Sequence, residues 1–427
     1  MRTTKQRGGM SLVIGTMLVM TAGTGSMAHA QWVWYDLTPA GKSGSFGEDT
    51  LAGTHVGSVR VGADCSEPHA AVWTGTSTDW VDLHPPGSGS NSYINGTTGT
   101  RHAGSFLPSG LSYHAALWTG LSSTPVDLQP TGASESNAYD IADVAGTGLT
   151  QQVGSVKAGT PPHAALWHET PESHIDLNPA GSQFSVALGT NGQRQVGYML
   201  YDYIYGDSHA ALWSGTPESF VDLHPADGVE NSYAVGISPD GEQQVGSVEV
   251  QVGSYMDAHA AVWHGRAEPW IDLNPPGSIF SEARATDGVH QAGQAYAGEG
   301  TYYTYRAYAW AGSVEKRVDL HALLPTQYTM SATEGIHTDR DGIWVFGYAH
   351  RTGVQCNRAI LWHLAFDTPG DCDGDDDVDL DDFGRSQACL SDPDTAVPPV
   401  CLCADLDIDT DVDLADFALF QALFMGP

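Results

Sequence analysis

Basic residues are scarce in this chain. Its 427 residues carry 17 Lys and Arg against 51 Asp and Glu, a formal net charge of −34 at pH 7. Nucleic acids and anionic membranes are held by clustered Lys and Arg, so this balance argues against both as partners. Long apolar runs are also missing. The longest, Ser11 to Ala22, falls well short of the roughly 20 residues that a bilayer core demands, so no membrane-spanning segment is expected. Residues 31–366 show no sustained 3.6-residue apolar period, which excludes a helical architecture there. No nucleophile elbow, zinc spacing or phosphate loop occurs, and fragments such as Gly87-Ser88-Gly89 fall in low-complexity loops. Catalytic residues are therefore not identifiable from motifs.

What is present divides the chain into three. Arg2, Lys5 and Arg7 precede the apolar run, and the small-residue site Ala28-His29-Ala30 follows it. This is the pattern of an export signal over residues 1–30, so the expected location is secreted or cell-surface. From Asp367 to the end there are 17 Asp, no Glu and one basic residue, Arg385. That shift marks a boundary between a domain at 31–366 and another at 367–427. Six cysteines, Cys65, Cys356, Cys372, Cys389, Cys401 and Cys403, suit disulfides in an exported chain, although an even count alone leaves the pairing open.

The larger domain is built on repeats. His-Ala-Ala-x-Trp occurs five times and Arg-Ala-x-x-Trp twice, ending at Trp73, Trp118, Trp167, Trp213, Trp263, Trp310 and Trp362. The intervals are 45 to 52 residues. Each unit breaks into short runs rich in Val, Ile, Tyr and Trp between Gly-containing turns, as in "NSYAVGIS", "EQQVGSVEV", "HAAVW" and "PWIDLNP". Four strands per unit and seven units predict a mainly β protein, a seven-bladed β-propeller. The opening "QWVWYDLTP" matches a fourth strand with no third before it, and the last unit ends at Arg358–His363 without a fourth. Pairing the two closes the ring and removes a free sheet edge. Closure makes the first and last units neighbours, so Cys65 and Cys356 become a candidate bridge. The His-Ala-Ala-Leu/Val-x pattern resembles the extracellular repeats named for a His-Ala-Phe core (HAF repeats). That resemblance implies export and repetition but no activity.

Repeated residues point to structure. His69, His114, His163, His209 and His259, with Arg306 and Arg358 in the last two units, occupy one position. Arginine is not a ligand for zinc-type cations, so a hydrogen bond within each blade is expected rather than a metal ring. Asp36, Asp82, Asp127, Asp176, Asp222, Asp272 and Asp319 likewise recur in every unit. The Val-Gly-Ser steps, as at Val153-Gly154-Ser155 and Val245-Gly246-Ser247, suggest close packing between blades. Ligand binding is expected where repetition fails. Two long loops carry tyrosines: Tyr198, Tyr201, Tyr203 and Tyr205, then Tyr296, Tyr302, Tyr303 and Tyr305. Flat apolar rings with hydroxyls suit a polysaccharide or a protein surface. Unrepeated acids, Glu67, Glu282, Glu299 and Glu334, are the candidates for an active site.

The C-terminal part contains two aspartate ladders 34 residues apart. Asp371, Asp373, Asp375, Asp377, Asp379 and Asp382 align with Asp405, Asp407, Asp409, Asp411, Asp413 and Asp416. These are positions 1, 3, 5, 7, 9 and 12 of a calcium loop, with Val378 and Val412 at position 8 and a Phe-bearing helix after each. The pattern resembles a type I dockerin module, a small EF-hand-like helical domain. The resemblance implies two calcium ions and a cohesin-like or cell-surface protein partner. Asp376 and Thr410 stand where the usual glycine turns the loop, and Leu380-Asp381 and Leu414-Ala415 replace the hydroxyl pairs that commonly face a cohesin. Cys389 with Cys401, and Cys372 with Cys403, are candidate pairs. The expectation is a secreted, non-catalytic binding or structural propeller tethered through a calcium module. The alternative is an extracellular polysaccharide hydrolase or lyase on the same scaffold.

Overall fold

A computed structural model describes residues 32–427 apart from 111, 160, 205, 227, 298–303, 340, 366–369, 373–377, 391–398, 405, 407–411 and 425–427. The signal segment lies outside the described residues, as do seven of the twelve aspartates expected to bind calcium: Asp373, Asp375, Asp377, Asp405, Asp407, Asp409 and Asp411. Seven four-stranded antiparallel sheets form a propeller. The first strands, innermost in blades I to VII, are Gly44–Leu51, Ser92–Thr97, Glu135–Asp143, Phe184–Thr190, Val229–Ile237, Ser281–Thr286 and Tyr328–Asp339. Blade VII takes its outer strand from the other end of the chain: Trp32–Asp36 pairs with Arg358–Ala365, Trp34 facing Trp362. The ring is closed as its two incomplete ends predict.

Alternation along the third strand explains the repeated motif. In blade II, Ala115 and Leu117 pack toward blade III, while Ala116 and Trp118 pack toward blade I. Small alanines let neighbouring sheets approach, and the tryptophan fills the remaining depth against the leucine of the preceding Asp-Leu pair. Trp118 Nε1 donates to Leu83 O at 2.9 Å, and Trp362 Nε1 to Leu320 O at 3.1 Å. All seven tryptophans are fully buried. A second ladder joins the blades. A serine on each innermost strand accepts the N–H of the motif's first alanine in the blade before it, from Ala70 to Ser92 through Ala359 to Ser45, at 2.8–3.0 Å.

The repeated polar residues are each other's partners. His69, His114, His163, His209 and His259 meet Asp82, Asp127, Asp176, Asp222 and Asp272 at 2.8–2.9 Å. Arg306 meets Asp319 at 2.7 Å, and Arg358 meets Asp36 across the ring closure. In most blades the second carboxylate oxygen accepts a backbone N–H two residues on, as from His84 to Asp82 at 2.9 Å, turning the chain toward the next blade.

Three disulfides form: Cys65–Cys356, Cys372–Cys403 and Cys389–Cys401, with Cα separations of 5.6, 5.2 and 5.4 Å. The first links blades I and VII across 291 residues of sequence. Replacing both of its cysteines by serine should lower propeller stability by about 2–4 kcal/mol, because the unfolded chain regains the freedom of a very long loop. A thermal melt unchanged from the parent would show that strand closure alone holds the ring.

The C-terminal part contributes two helices, Leu380–Cys389 and Leu414–Phe424. Phe383 lies against Phe417 and Phe420, with ring centroids 5.8 and 6.0 Å apart. Among the described residues no helix is long and apolar enough to cross a membrane.

Candidate functional site

Each innermost strand carries a β-bulge at the same place. The slipped residues are Glu48, Asn95, Tyr139, Leu188, Val235, Arg284 and Glu334. A bulge turns an extra side chain out of the sheet, here toward the propeller axis. All seven line one axial cavity of about 470 Å3. Six residue types occupy its seven equivalent positions.

Opposite the residue before each bulge the second strand carries a glycine, in three blades the glycine of a Val-Gly-Ser step. A Cβ on Gly57 would stand 2.1 Å from Phe46 O, on Gly154 1.8 Å from Asn137 O, and on Gly293 2.0 Å from Glu282 O. The close approach is thus to the innermost strand of the same blade, not to a neighbouring blade as the sequence suggests. The carbonyl displaced by the bulge occupies the space where a side chain would be.

Charge gathers on one arc of the ring. Arg284 Nε donates to Glu334 Oε2 at 2.7 Å, with Nη2 of the same guanidinium at 2.6 Å, and Glu282 stands 3.5 Å from Nη1. Glu48 adds a third carboxyl to the field of Arg284. Burial pushes Glu48 up to about 8, with the charge of Glu334 adding to it against the opposing pull of Arg284 and Arg60. Burial also raises Glu334, although Arg284 pulls it the other way. The carboxyl of Glu48 has no hydrogen-bond partner among the described residues.

Beside the ring, Asp49 and Asp140 occupy places where most other blades carry glycine. They are braces between blades: Asp49 accepts Thr97 N–H at 2.9 Å, and Asp140 accepts Thr190 N–H at 2.7 Å. Burial raises Asp49 to about 6 and Asp140 to about 8, in the latter case helped by the Asp49 charge, while the backbone N–H donors oppose both shifts. Asp287 goes the other way. Its burial would raise it, but His290 and the hydroxyl of Thr338 hold it at about 2.

A carboxyl raised in the folded state keeps its proton where the unfolded chain has lost it, so folding weakens as pH climbs from the unfolded value toward the folded one. Glu48→Gln should therefore stabilise the propeller increasingly between about pH 4.5 and 8. Solvent in the cavity moderates the effect to on the order of 1–2 kcal/mol. Melts across that range give the test, and a pH-independent difference would contradict it.

The unrepeated acids of the sequence divide. Glu282 and Glu334 meet at Arg284. Glu67 lies on the loop before the third strand of blade I, and Glu299 is outside the described residues. Glu48, Asn95, Tyr139 and Arg284 were not legible as site residues. Their only signal is a variable residue three places after the serine of each innermost strand.

The tyrosines occupy the opposite side. Every residue lining the cavity lies between a bulge and the tight hairpin that follows it, so the cavity opens on the tight-turn face. The tyrosine loops, between the second and third strands, emerge on the other. Tyr198 packs with Phe184 and Tyr233, Tyr203 stacks on Phe184, and Tyr201 lies edge-on to His209. Tyr296 and Tyr305 pair with each other and with Phe280, their hydroxyls 3.0 Å apart. Tyr201 and Tyr203 remain about half exposed. Tyr205, Tyr302 and Tyr303 fall outside the described residues.

Of the calcium candidates, Asp371, Asp379, Asp382, Asp413 and Asp416 are described. Asp382 accepts N–H from Cys372 at 2.6 Å and Asp379 at 2.8 Å; Asp416 accepts from Leu406 and Asp413 at the same two distances. The two aspartates are thus held alike. Among the described residues no cluster of three or more His, Cys, Asp or Glu is arranged to hold a metal.

No protein-family model matches the chain, and no curated protein matches it. Among solved structures it is similar to the β-propeller domain of the Trilobed protease from Pyrococcus furiosus, at 11% identity over 76% of this chain and 99% of that one, TM-score 0.48. It is also similar to an oligogalacturonate lyase from Vibrio parahaemolyticus (8% identity, 78% and 94% covered, TM-score 0.46) and to the polysaccharide lyase Uly1 (7%, 77% and 91%, TM-score 0.45).

Proposed function

We propose that this chain is an exported, non-catalytic binding protein: a propeller of HAF-type repeats that takes its ligand in the axial cavity and is tethered by a dockerin-like module holding two calcium ions. The observation that carries the binding reading is the ring of seven bulges. The motif serines, alanines and tryptophans pack the blades together, whereas the seven bulge residues, which range from glutamate to valine, all line one shared cavity. A volume of about 470 Å3 lies within the range of small-molecule sites. Polyanions are poor candidates, since an acidic wall within a chain of net charge −34 repels them. That argument disfavours a lyase acting on uronate polymers and favours a neutral or amino-bearing glycan. Three disulfides and the signal pattern support export.

A glycan array probed with the calcium-loaded full chain and with Val235→Trp tests this reading. Retention that the tryptophan abolishes is expected; retention indifferent to it would remove the cavity from consideration. A second reading, a glycoside hydrolase, is favoured by one observation: two buried carboxyls on one arc, Glu48 with its proton affinity raised by burial and Glu334 paired with an arginine. Such chemistry requires a pair of carboxyls, one as acid and one as base or nucleophile. Reducing sugar released from a retained glycan, and lost in Glu48→Gln, would decide for the enzyme.

A further inference from the structure

The bulge ring is divided into two arcs. Blades VI, VII, I and II supply Arg284, Glu334, Glu48 and Asn95; blades III, IV and V supply Tyr139, Leu188 and Val235. One half of the wall is charged and the other is a ring and two aliphatic side chains. On the charged arc, Arg284 is already committed to Glu334. The Glu48 carboxyl has no hydrogen-bond partner among the described residues, and Asn95 donates its amide N–H to Ala138 O at 2.7 Å, which leaves its carbonyl oxygen able to accept. The arc therefore presents two acceptors and one satisfied cation. A ligand that donates hydrogen bonds and brings positive charge would suit it.

Resting on the reading of the cavity as a ligand site, we infer that Glu48 is the anchor of a subsite for the protonated amine of an amino sugar. A pyranose carrying an ammonium group is matched to both arcs at once. Its amine pairs with Glu48, an adjacent hydroxyl donates to Asn95 Oδ1, and its C–H face lies on Tyr139, Leu188 and Val235. A metal ion would satisfy only the first contact and leave the apolar arc unused. N-acetylation of the sugar removes the charge that Glu48 is placed to meet.

Binding is coupled to a proton. The groups facing Glu48 are Glu334, Arg284, Arg60 and Asp49. Glu334 and Asp49 work to keep its carboxyl protonated, and an arriving ammonium reverses that, so the carboxyl loses its proton as the ion pair forms. Calorimetry of the full calcium-loaded chain at pH 7, with di- and triglucosamine, their N-acetylated forms and cellobiose, reads both effects. The expected result is glucosamine binding about tenfold or more tighter than the other two, with a proton released to buffer, and Glu48→Gln levelling the three. Equal affinities in the parent chain, a preference untouched by Glu48→Gln, equal binding of a simple aliphatic diamine, or no binding of glucosamine oligomers would each overturn the inference. Val235→Trp separates the two levels. If it abolishes binding that Glu48→Gln leaves alone, the cavity reading stands without the amine subsite; if binding survives it, the cavity reading itself fails.

Discussion

Titration of the full chain with calcium should reveal two sites, with Asp382→Ala removing one and Asp416→Ala the other. Each of these aspartates closes its loop from the first turn of a helix and is almost fully buried. Each carboxylate accepts two backbone N–H groups of its loop, and Asp379 caps the first helix in return. On the dockerin-like reading alanine would remove a twelfth-position ligand, and in any case it would strand two N–H donors, at about 1–3 kcal/mol for each left buried. Chelation should act on both loops together. Eight aspartates lie from Asp371 to Phe383, and a bound cation would offset their mutual repulsion. Far-UV circular dichroism should lose the signal of Leu380–Cys389 and Leu414–Phe424, while Cys372–Cys403 and Cys389–Cys401 keep the segment tied and the propeller signal persists. A flat calcium titration would dismiss the dockerin-like reading.

The ring and its closure were legible because repetition amplifies a weak signal. One His-Ala-Ala-x-Trp says little, but seven tryptophans at 45 to 52 residues fix the blade count, and two complementary half-units fix the closure. Pairing of Cys65 with Cys356 followed from that closure. The same logic hid the cavity. Residues such as Asn95 and Val235 differ from their counterparts in other blades, so they look like noise within a repeat. Only the bulge, which slips the register by one residue and redirects one side chain, reveals that they share a wall. Glu282 and Glu334 stood out as unrepeated acids, but their partner Arg284 did not, since nothing in sequence brings residues 284 and 334 together. The tyrosines were conspicuous in composition, and composition does not report which face of a propeller holds its cavity.

Gly57→Ala should disable the cavity from outside it. A Cβ at Gly57 would lie 2.1 Å from Phe46 O, 3.0 Å from Phe46 C and 3.3 Å from Glu48 N, all backbone of the bulge that aims Glu48. No rotamer change relieves a clash between two backbones, so either the second strand moves outward or the bulge flattens. The first breaks pairing with the third strand, where Gly57 faces Ala71; the second turns Glu48 off the axis. Overpacking of this kind costs about 1–3 kcal/mol and, with backbone on both sides, belongs at the upper end. Gly110→Ala is the control, because nothing lies within 4 Å of its Cβ position and the added methyl group should change the melt by less than about 0.5 kcal/mol. The variants separate stability from site geometry. At a temperature where Gly57→Ala is still folded, it should have lost the ligand preference that depends on Glu48, while Gly110→Ala keeps it. Should Gly57→Ala melt like the parent and bind like it, the glycine would have no part in shaping the bulge, and the aim of Glu48 would have to be set by the cross-blade brace from Asp49 to Thr97 instead.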